Sequence, residues 1–244
     1  RWGPELSDVI TWRDKAVYDL EDLDASPEKV ERLEAERAQL LEAAKKAAQT
    51  VSKRRRAAAK ELASKVTAEL DSLAMGTSKL EIRVAEREQL DATGADDIEF
   101  LFTPFPGSPQ LPMGKSASGG ELSRIMLALK NVLTAGEDVG MLIFDEIDPG
   151  VSGHAAQQIG RKLSAIARKK QTLCVTHLPQ IAAMGDHHLR ISKSVRDGRS
   201  YTDVSPMDRA HRVDEIARLL SGEEISDAAR KNAEDLLDAA GQGA

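Results

Sequence analysis

The sequence is poor in cysteine and in aromatic residues, with one Cys, two Trp, two Tyr and four Phe among 244 residues. The lone Cys174 forms no internal disulfide, and its place in an apolar run fits a reducing compartment. Aromatics at 3% beside 30% charged residues disfavour a compact barrel or sandwich and favour long solvated helices. Positive charge is not in excess. Its 34 Lys and Arg against 40 Asp and Glu give a net charge of -6, which excludes a uniformly basic nucleic-acid coat but leaves room for a local patch. No apolar run approaches the ~20 residues of a membrane span, and no charged-then-apolar leader opens the chain. A soluble cytoplasmic protein is therefore expected. The first residue is Arg1 rather than methionine, and a fragment of a longer protein is expected.

Glycine is absent between Gly3 and Gly76, and Pro27 alone interrupts a stretch of helix formers. Ser26 suits an N-cap and Pro27 the first helical position, so the pattern predicts helices over 5–24 and 27–74. The second would be about 70 Å long at 1.5 Å per residue. Its apolar stripe, Leu33, Leu40, Ala44, Ala47, Val51, Ala58, Leu62, Val66, Leu70 and Leu73, is narrow and is interrupted at Arg54. That is a coiled-coil seam in need of a facing helix, which the later sequence does not offer. Charge along this rod is segregated: 19–42 holds nine acids against three bases, and 45–65 holds eight bases against Glu61 alone. The basic block, with Lys53, Arg54, Arg55, Arg56 and Lys60 at its centre, reads either as a solvated helix face or as a DNA phosphate-contact surface. No aromatics interleave with these bases, so stacking on single strands is not supported.

From Gly76 onward the chain alternates strands and helices. Leu80, Ile82 and Val84 alternate, as do Ile98, Phe100 and Phe102, before a proline-rich loop and a helix over 121–133. The continuous apolar runs Met141 to Phe144 and Leu173 to Val175 flank a helix near 153–168. Such strands predict a parallel sheet covered on both faces. Shorter strands near 188–192 and 200–204 and helices near 208–220 and 225–239 follow. The expected organisation is a coiled-coil arm over 1–75 and an α/β layer over 76–244.

Gly114-Lys115-Ser116 imitates the end of a phosphate-binding P-loop. The position five residues before Gly114 is Pro109, however, and Pro112 intervenes; proline has no N–H to donate to a phosphate. The fragment is not such a loop. Ser118-Gly119-Gly120-Glu121 follows and opens a helix. Ser118 and Glu121 have capping-box spacing, while two glycines inside the box are useful only where something approaches the backbone closely. A helix start of this kind suits a terminal phosphate. The run ending in Asp145-Glu146 places one carboxylate to hold Mg²⁺ and the next toward an attacking water. Asp148 adds a carboxylate in the loop, and His177 ends the strand after Thr172. His187 and His188 have no zinc-site spacing.

In this order the motifs resemble the C-terminal half of an ABC-type ATPase head of the SMC-like class, within the P-loop NTPases. Ser118-Gly119-Gly120-Glu121 resembles the signature motif, Asp145-Glu146 the Walker B pair, Asp148 the D-loop and His177 the switch histidine. The wording of Ala117 to Lys130, Ile143 to Asp148, Gly150 to Gly153 and Val175 to Ala182 is similar to the bacterial RecN family of double-strand-break repair proteins. Arg1-Trp2-Gly3-Pro4 resembles the loop at the tip of that family's coiled coil, which makes 5–75 one arm of an antiparallel pair. Pro149 is unusual in a D-loop.

The resemblance implies that the Walker A loop and the ascending arm lie in an N-terminal half of the same protein. It also implies two heads that dimerise around ATP, with Ser118 and Gly120 on the γ-phosphate held by the opposite subunit. Asp145 would then help hold Mg²⁺, Glu146 would orient or deprotonate water, His177 would contact the γ-phosphate, and Asp148 would couple the two sites across the interface. Hydrolysis would open the dimer and release or reposition DNA, and this chain alone would be inactive. The alternative reading is a non-enzymatic coiled-coil adaptor that docks on DNA.

Overall fold

The computed structural model describes residues 5–23, 26–133, 139–196 and 198–242. Arg1 to Pro4, the expected arm tip, lie outside the described residues. The chain forms two compact units: Arg1–Arg55 with Glu86–Asp96, and Arg56–Ala85 with Asp97–Ala244. Helix α1 (Leu6–Asp22) opens with a reciprocal capping box between Glu5 and Asp8. Helix α2 (Pro27–Leu70) begins where the sequence predicts, with Ser26 Oγ accepting from Lys29 N at 3.4 Å. It ends four residues earlier than expected. A π-helical turn, Asp71–Met75, with Ala74 at φ 58°, reverses the chain after it.

In the first unit the covered stripe of α2 is not the expected seam. Ala48 and Ser52 are buried, whereas Leu33, Leu40, Ala44, Ala47 and Val51 are exposed. The reason is Asp96, on the tip of the hairpin made by β1 (Lys79–Asp91) and β2 (Gly94–Thr103). Its carboxylate accepts from Ser52 Oγ at 2.6 Å and from Arg55 at 3.0 Å. A polar pair thus holds the hairpin tip to the helix, and a scan for apolar spacing overlooks it.

The second unit has a core of Val66, Leu70, Leu73, Leu80, Phe102, Ile125, Leu127, Phe144, Ile147, Ile159, Leu163 and Ile166. Leu80 N donates to Thr67 Oγ1 at 3.2 Å, tying β1 to the end of α2. Strand β3 (Leu111–Pro112) adds to β2 antiparallel, with Leu101 opposite Pro112. The imitation P-loop is a four-residue turn, α3 (Met113–Ser116). Next come α4 (Gly119–Leu133), β4 (Met141–Phe144), α5 (Gly153–Ala167), β5 (Gln171–Cys174) and the short α6 (Pro179–Ala182). Strands β4 and β5 are parallel, with Phe144 opposite Cys174.

Among the described residues this sheet is covered on one face only. Phe144 faces the core, while Ile143 is 64% exposed and Met141, Leu173 and Val175 are exposed beside it. The expectation of two covered faces is therefore corrected: a continuous apolar strand reports what its surfaces require, not what this chain alone supplies. α5 and α6 meet through Gly160, where a β-carbon would lie 2.9 Å from Met184 Cγ and 3.2 Å from Gln180 O. Glu69 of α2 joins Asn131 of α4 at 2.7 Å and Lys162 of α5. Burial raises the Glu69 carboxyl pKa, but the bonds from Lys162 and Asn131 outweigh this and hold it below its usual value.

Strands β6 (His188–Arg196) and β7 (Arg199–Met207) form a hairpin longer than the sequence predicts, from His188 opposite Met207 to Arg196 opposite Arg199. Its polar positions do not interrupt pairing because most of both faces is solvated. Helices α7 (Arg209–Ser221) and α8 (Asp227–Gln242) pack together through Ile216, Ala217, Ala233 and Leu237. No helix among the described residues is long and apolar enough to cross a membrane.

Candidate functional site

The site lies where the start of α4 meets the carboxyl ends of β4 and β5. Open α/β sheets bind ligands along such an edge, because strand ends there release side chains into a crevice. Ser118 and Glu121 form the capping box: Ser118 N and Oγ both donate to Glu121 Oε2 at 2.8 Å, and Glu121 N donates to Ser118 Oγ at 3.4 Å. The expected cap and the expected signature are thus the same residues. Gly119 and Gly120 leave this helix start bare for a close neighbour, and Glu146 is that neighbour. A β-carbon on Gly119 would lie 2.7 Å from Glu146 Oε2, and one on Gly120 would lie 3.4 Å from Glu146 O.

Glu146 reaches this place through an unusual backbone, with φ at 54° in the left-handed region. A non-glycine residue held there is strained, and such strain collects at functional sites. Its N–H donates to Asp145 Oδ1 at 2.9 Å, stabilising the turn. Two α4 side chains fix the loop from the other side. Ser123 Oγ donates to Asp145 O at 2.8 Å, and Arg124 donates to Pro149 O at 2.9 Å. Arg124 is buried, its Nε has no hydrogen-bond partner among the described residues, and burial pushes its pKa down.

Asp148 is 5% exposed and turns inward. Its Oδ2 accepts from Thr176 Oγ1 at 2.7 Å and His177 N at 2.9 Å, and lies 3.0 Å from His177 Nδ1. Cys174 sits at the end of β5 beside this cluster; burial first, and then the charges of Asp148 and Asp145, push its thiol up to about 12. The structure therefore brings together Ser118, Gly119, Gly120, Glu121, Asp145, Glu146, Asp148 and His177. It also adds three residues that lie within the stretches Ala117 to Lys130 and Val175 to Ala182 but have no role assigned from sequence: Ser123, Arg124 and Thr176.

Asp145 is exposed, and no group of three or more His, Cys, Asp or Glu side chains among the described residues could hold a metal. A single carboxylate at a strand end fits Mg²⁺, which keeps much of its water and shares phosphate oxygens. The basic residues Lys53, Arg54, Arg56 and Lys60 are exposed on α2, whereas Arg55 is drawn to Asp96.

No protein-family model matches the chain. It is 36% identical over 257 residues to the DNA repair protein RecN of Bacillus subtilis, covering 99% of this chain and 45% of that protein. It is 40% identical over 260 residues to the DNA repair protein RecN of Mycobacterium bovis, covering 98% of the chain and 44% of the relative. The chain thus spans under half the length of these relatives. Among solved structures it resembles the Smc head domain with a coiled coil and joint from Pyrococcus yayanosii, at a TM-score of 0.53 and 17% identity. That likeness covers 90% of this chain and 39% of the other, and it shows a shared fold.

Proposed function

The chain belongs to the RecN family of DNA repair proteins, and from that premise we propose that it is the C-terminal part of a DNA repair ATPase whose heads close on one another around ATP. The observation that carries the reading is the unbroken set of contacts from α4 to the ends of β4 and β5, through Gly119–Glu146, Ser123–Asp145, Arg124–Pro149 and Asp148–His177. A solvated acidic turn would not need a helix start cleared of β-carbons, a left-handed glutamate and, two residues on, a buried aspartate bonded to the residues that follow the next strand.

In this reading Ser118, Gly119 and Gly120 present the N-terminal N–H groups of α4 to the γ-phosphate of a nucleotide bound by the opposite subunit. Asp145 would hold Mg²⁺, which would offset charge on the phosphate oxygens when bound. Glu146 takes a proton from the attacking water as its oxygen bonds to the γ-phosphorus and the bond to the β-phosphate oxygen breaks, giving ADP and phosphate. His177 contacts the γ-phosphate. Glu146 now lies against the α4 start, so the arriving phosphate and this carboxylate compete for one place, and head closure releases Glu146 toward the water. The phosphate-cradling lysine loop and the ascending arm come from outside these 244 residues. The exposed apolar face of β4 and β5 supports this, since it needs a cover. DNA contacts the exposed bases of α2.

Glu146→Gln in the full protein tests the assignment. The expected result is ATP-dependent dimerisation retained in sedimentation, with turnover lower by on the order of 100-fold or more. Turnover equal to wild type removes Glu146 from the chemistry.

A further inference from the structure

Resting on this reading of the site, we propose that Asp148 and Thr176 are the positioning pair for His177, setting which ring nitrogen carries the proton and where the other one points. The resemblance to ABC-type heads implies a different task for Asp148, reaching across to a second subunit. Its burial speaks against that task, because at 5% exposure the carboxylate has no surface to offer a partner.

The geometry gives it another. A single oxygen, Asp148 Oδ2, meets the backbone N–H of His177 at 2.9 Å and its ring Nδ1 at 3.0 Å, so one carboxylate holds both the main chain and the imidazole. The imidazole is otherwise barely restrained, since the His177 side chain is 70% exposed. A carboxylate oxygen accepts, so this approach favours the tautomer with the proton on Nδ1. In the neutral ring the lone pair is then on Nε2, the nitrogen remote from Asp148. A histidine acting at a phosphate or a water needs this kind of fixed tautomer, and a neighbouring carboxylate is a common way to fix it.

Thr176 completes the device. Its hydroxyl donates to Asp148 Oδ2 at 2.7 Å and accepts from Leu178 N at 3.0 Å. The hydroxyl thereby locks the turn on either side of His177 and aims the carboxylate at the ring. Arg124, by holding Pro149 O, anchors the residue next to Asp148. The contacts run from the signature helix through Arg124 and Pro149 to Asp148, and on to Thr176 and His177 by hydrogen bonds, with the ring Nδ1 brought within 3.0 Å of the same carboxylate oxygen.

The test uses the full protein, selectively labelled with ¹⁵N-histidine, the His177 signals being assigned by their loss in His177→Ala. In wild type at neutral pH, long-range proton–nitrogen correlation is expected to show Nδ1 protonated and Nε2 bearing the lone pair. Asp148→Asn, which can also donate to Nδ1, is expected to move His177 toward the tautomer mixture of free imidazole. It should cut kcat on the order of 100-fold while the KM for ATP stays within about threefold. Added to His177→Ala, the same change should cost nothing further, because Asp148 acts only through the histidine. Thr176→Ser should restore most of what Thr176→Val loses, with both melting near wild type.

An unchanged His177 tautomer in Asp148→Asn overturns the proposal whatever happens to turnover. Additive losses in the double variant overturn it too and return Asp148 to a task of its own. A wild-type protein without ATPase activity but with the expected tautomer shift defeats the ATPase reading and leaves the positioning pair in place.

Discussion

The Glu146 carboxylate lies so close to Gly119 that a β-carbon on the glycine would sit 2.7 Å from Glu146 Oε2. An acid from the end of β4 therefore rests on the first turn of α4, where the helix dipole and free N–H groups favour negative charge. Gly119→Ala puts a methyl group into that contact and forces the carboxylate aside. The chain should still fold, since Glu146 is exposed and its side chain is free to rotate. ATP-dependent dimerisation of the full protein should weaken by about tenfold, because the same methyl obstructs an incoming phosphate. Sedimentation across an ATP titration checks this, and wild-type dimerisation would show that the helix start is not a phosphate contact.

Arg124 separates stability from function. Its guanidinium is buried with one backbone acceptor, and replacing buried charge by an apolar side chain of similar length is often neutral. Arg124→Met should shift the urea midpoint by less than the equivalent of about 1 kcal/mol. Arg124→Ala, which leaves a cavity, should cost about 2 kcal/mol. Both should lower turnover, as each unties Pro149 from α4. A large stability loss in Arg124→Met would mean that the arginine holds the fold rather than the loop.

Glu69 predicts an acid limb. Its folded carboxyl titrates below the ordinary value of 4.5, so its stabilising effect is complete above that pH and is lost as the pH falls through the lower, folded value. Glu69→Gln should melt at a lower temperature than wild type at pH 6 and fall less steeply below pH 4.5, with the two curves converging in acid. Melting temperature measured from pH 6 to pH 3 provides the check, and parallel curves would contradict it.

The basic block on α2 divides into two groups by partner. Arg54 and Arg56 are exposed, whereas Arg55 bonds to Asp96, whose side chain is 1% exposed. Replacing Arg54 or Arg56 with Ala should weaken DNA binding by the full protein and flatten its logarithmic salt dependence by about 1 per residue. Arg55→Ala should instead destabilise the protein by about 3 kcal/mol, because it removes one partner of a buried carboxylate. Equal salt slopes in all three variants would remove the DNA-contact assignment.

The regular elements were legible in the sequence because periodic patterns report them. Met141 to Phe144 is the strand its apolar run predicts, and Ser26-Pro27 starts α2 as its cap chemistry requires. What escaped the sequence is contact between polar groups. Ser52 and Arg55 interrupt any apolar stripe, yet they mark the covered side of α2 because Asp96 arrives from 41 residues or more away to accept from them. Thr176 and Ser123 carry no spacing signal, since one hydroxyl bonding across a loop leaves no period. The eight motif residues were visible as residue types. Their convergence, and the inward turn of Asp148, depend on three strand and helix ends meeting, and a local pattern cannot encode that. The exposed face of β4 and β5 failed to match for the opposite reason: its apolar residues fit a covered face, and none of the described residues covers it.

Cys174 gives the site a built-in clock. A thiol held near 12 is almost wholly protonated at neutral pH, so alkylating reagents meet very little thiolate while β5 stays in place. Any opening that brings the thiol into water, and to a lesser degree one that moves it away from Asp148 and Asp145, lowers that barrier and makes the thiol easier to label. As the chain has no other cysteine, the signal belongs to this one strand end and needs no engineered probe.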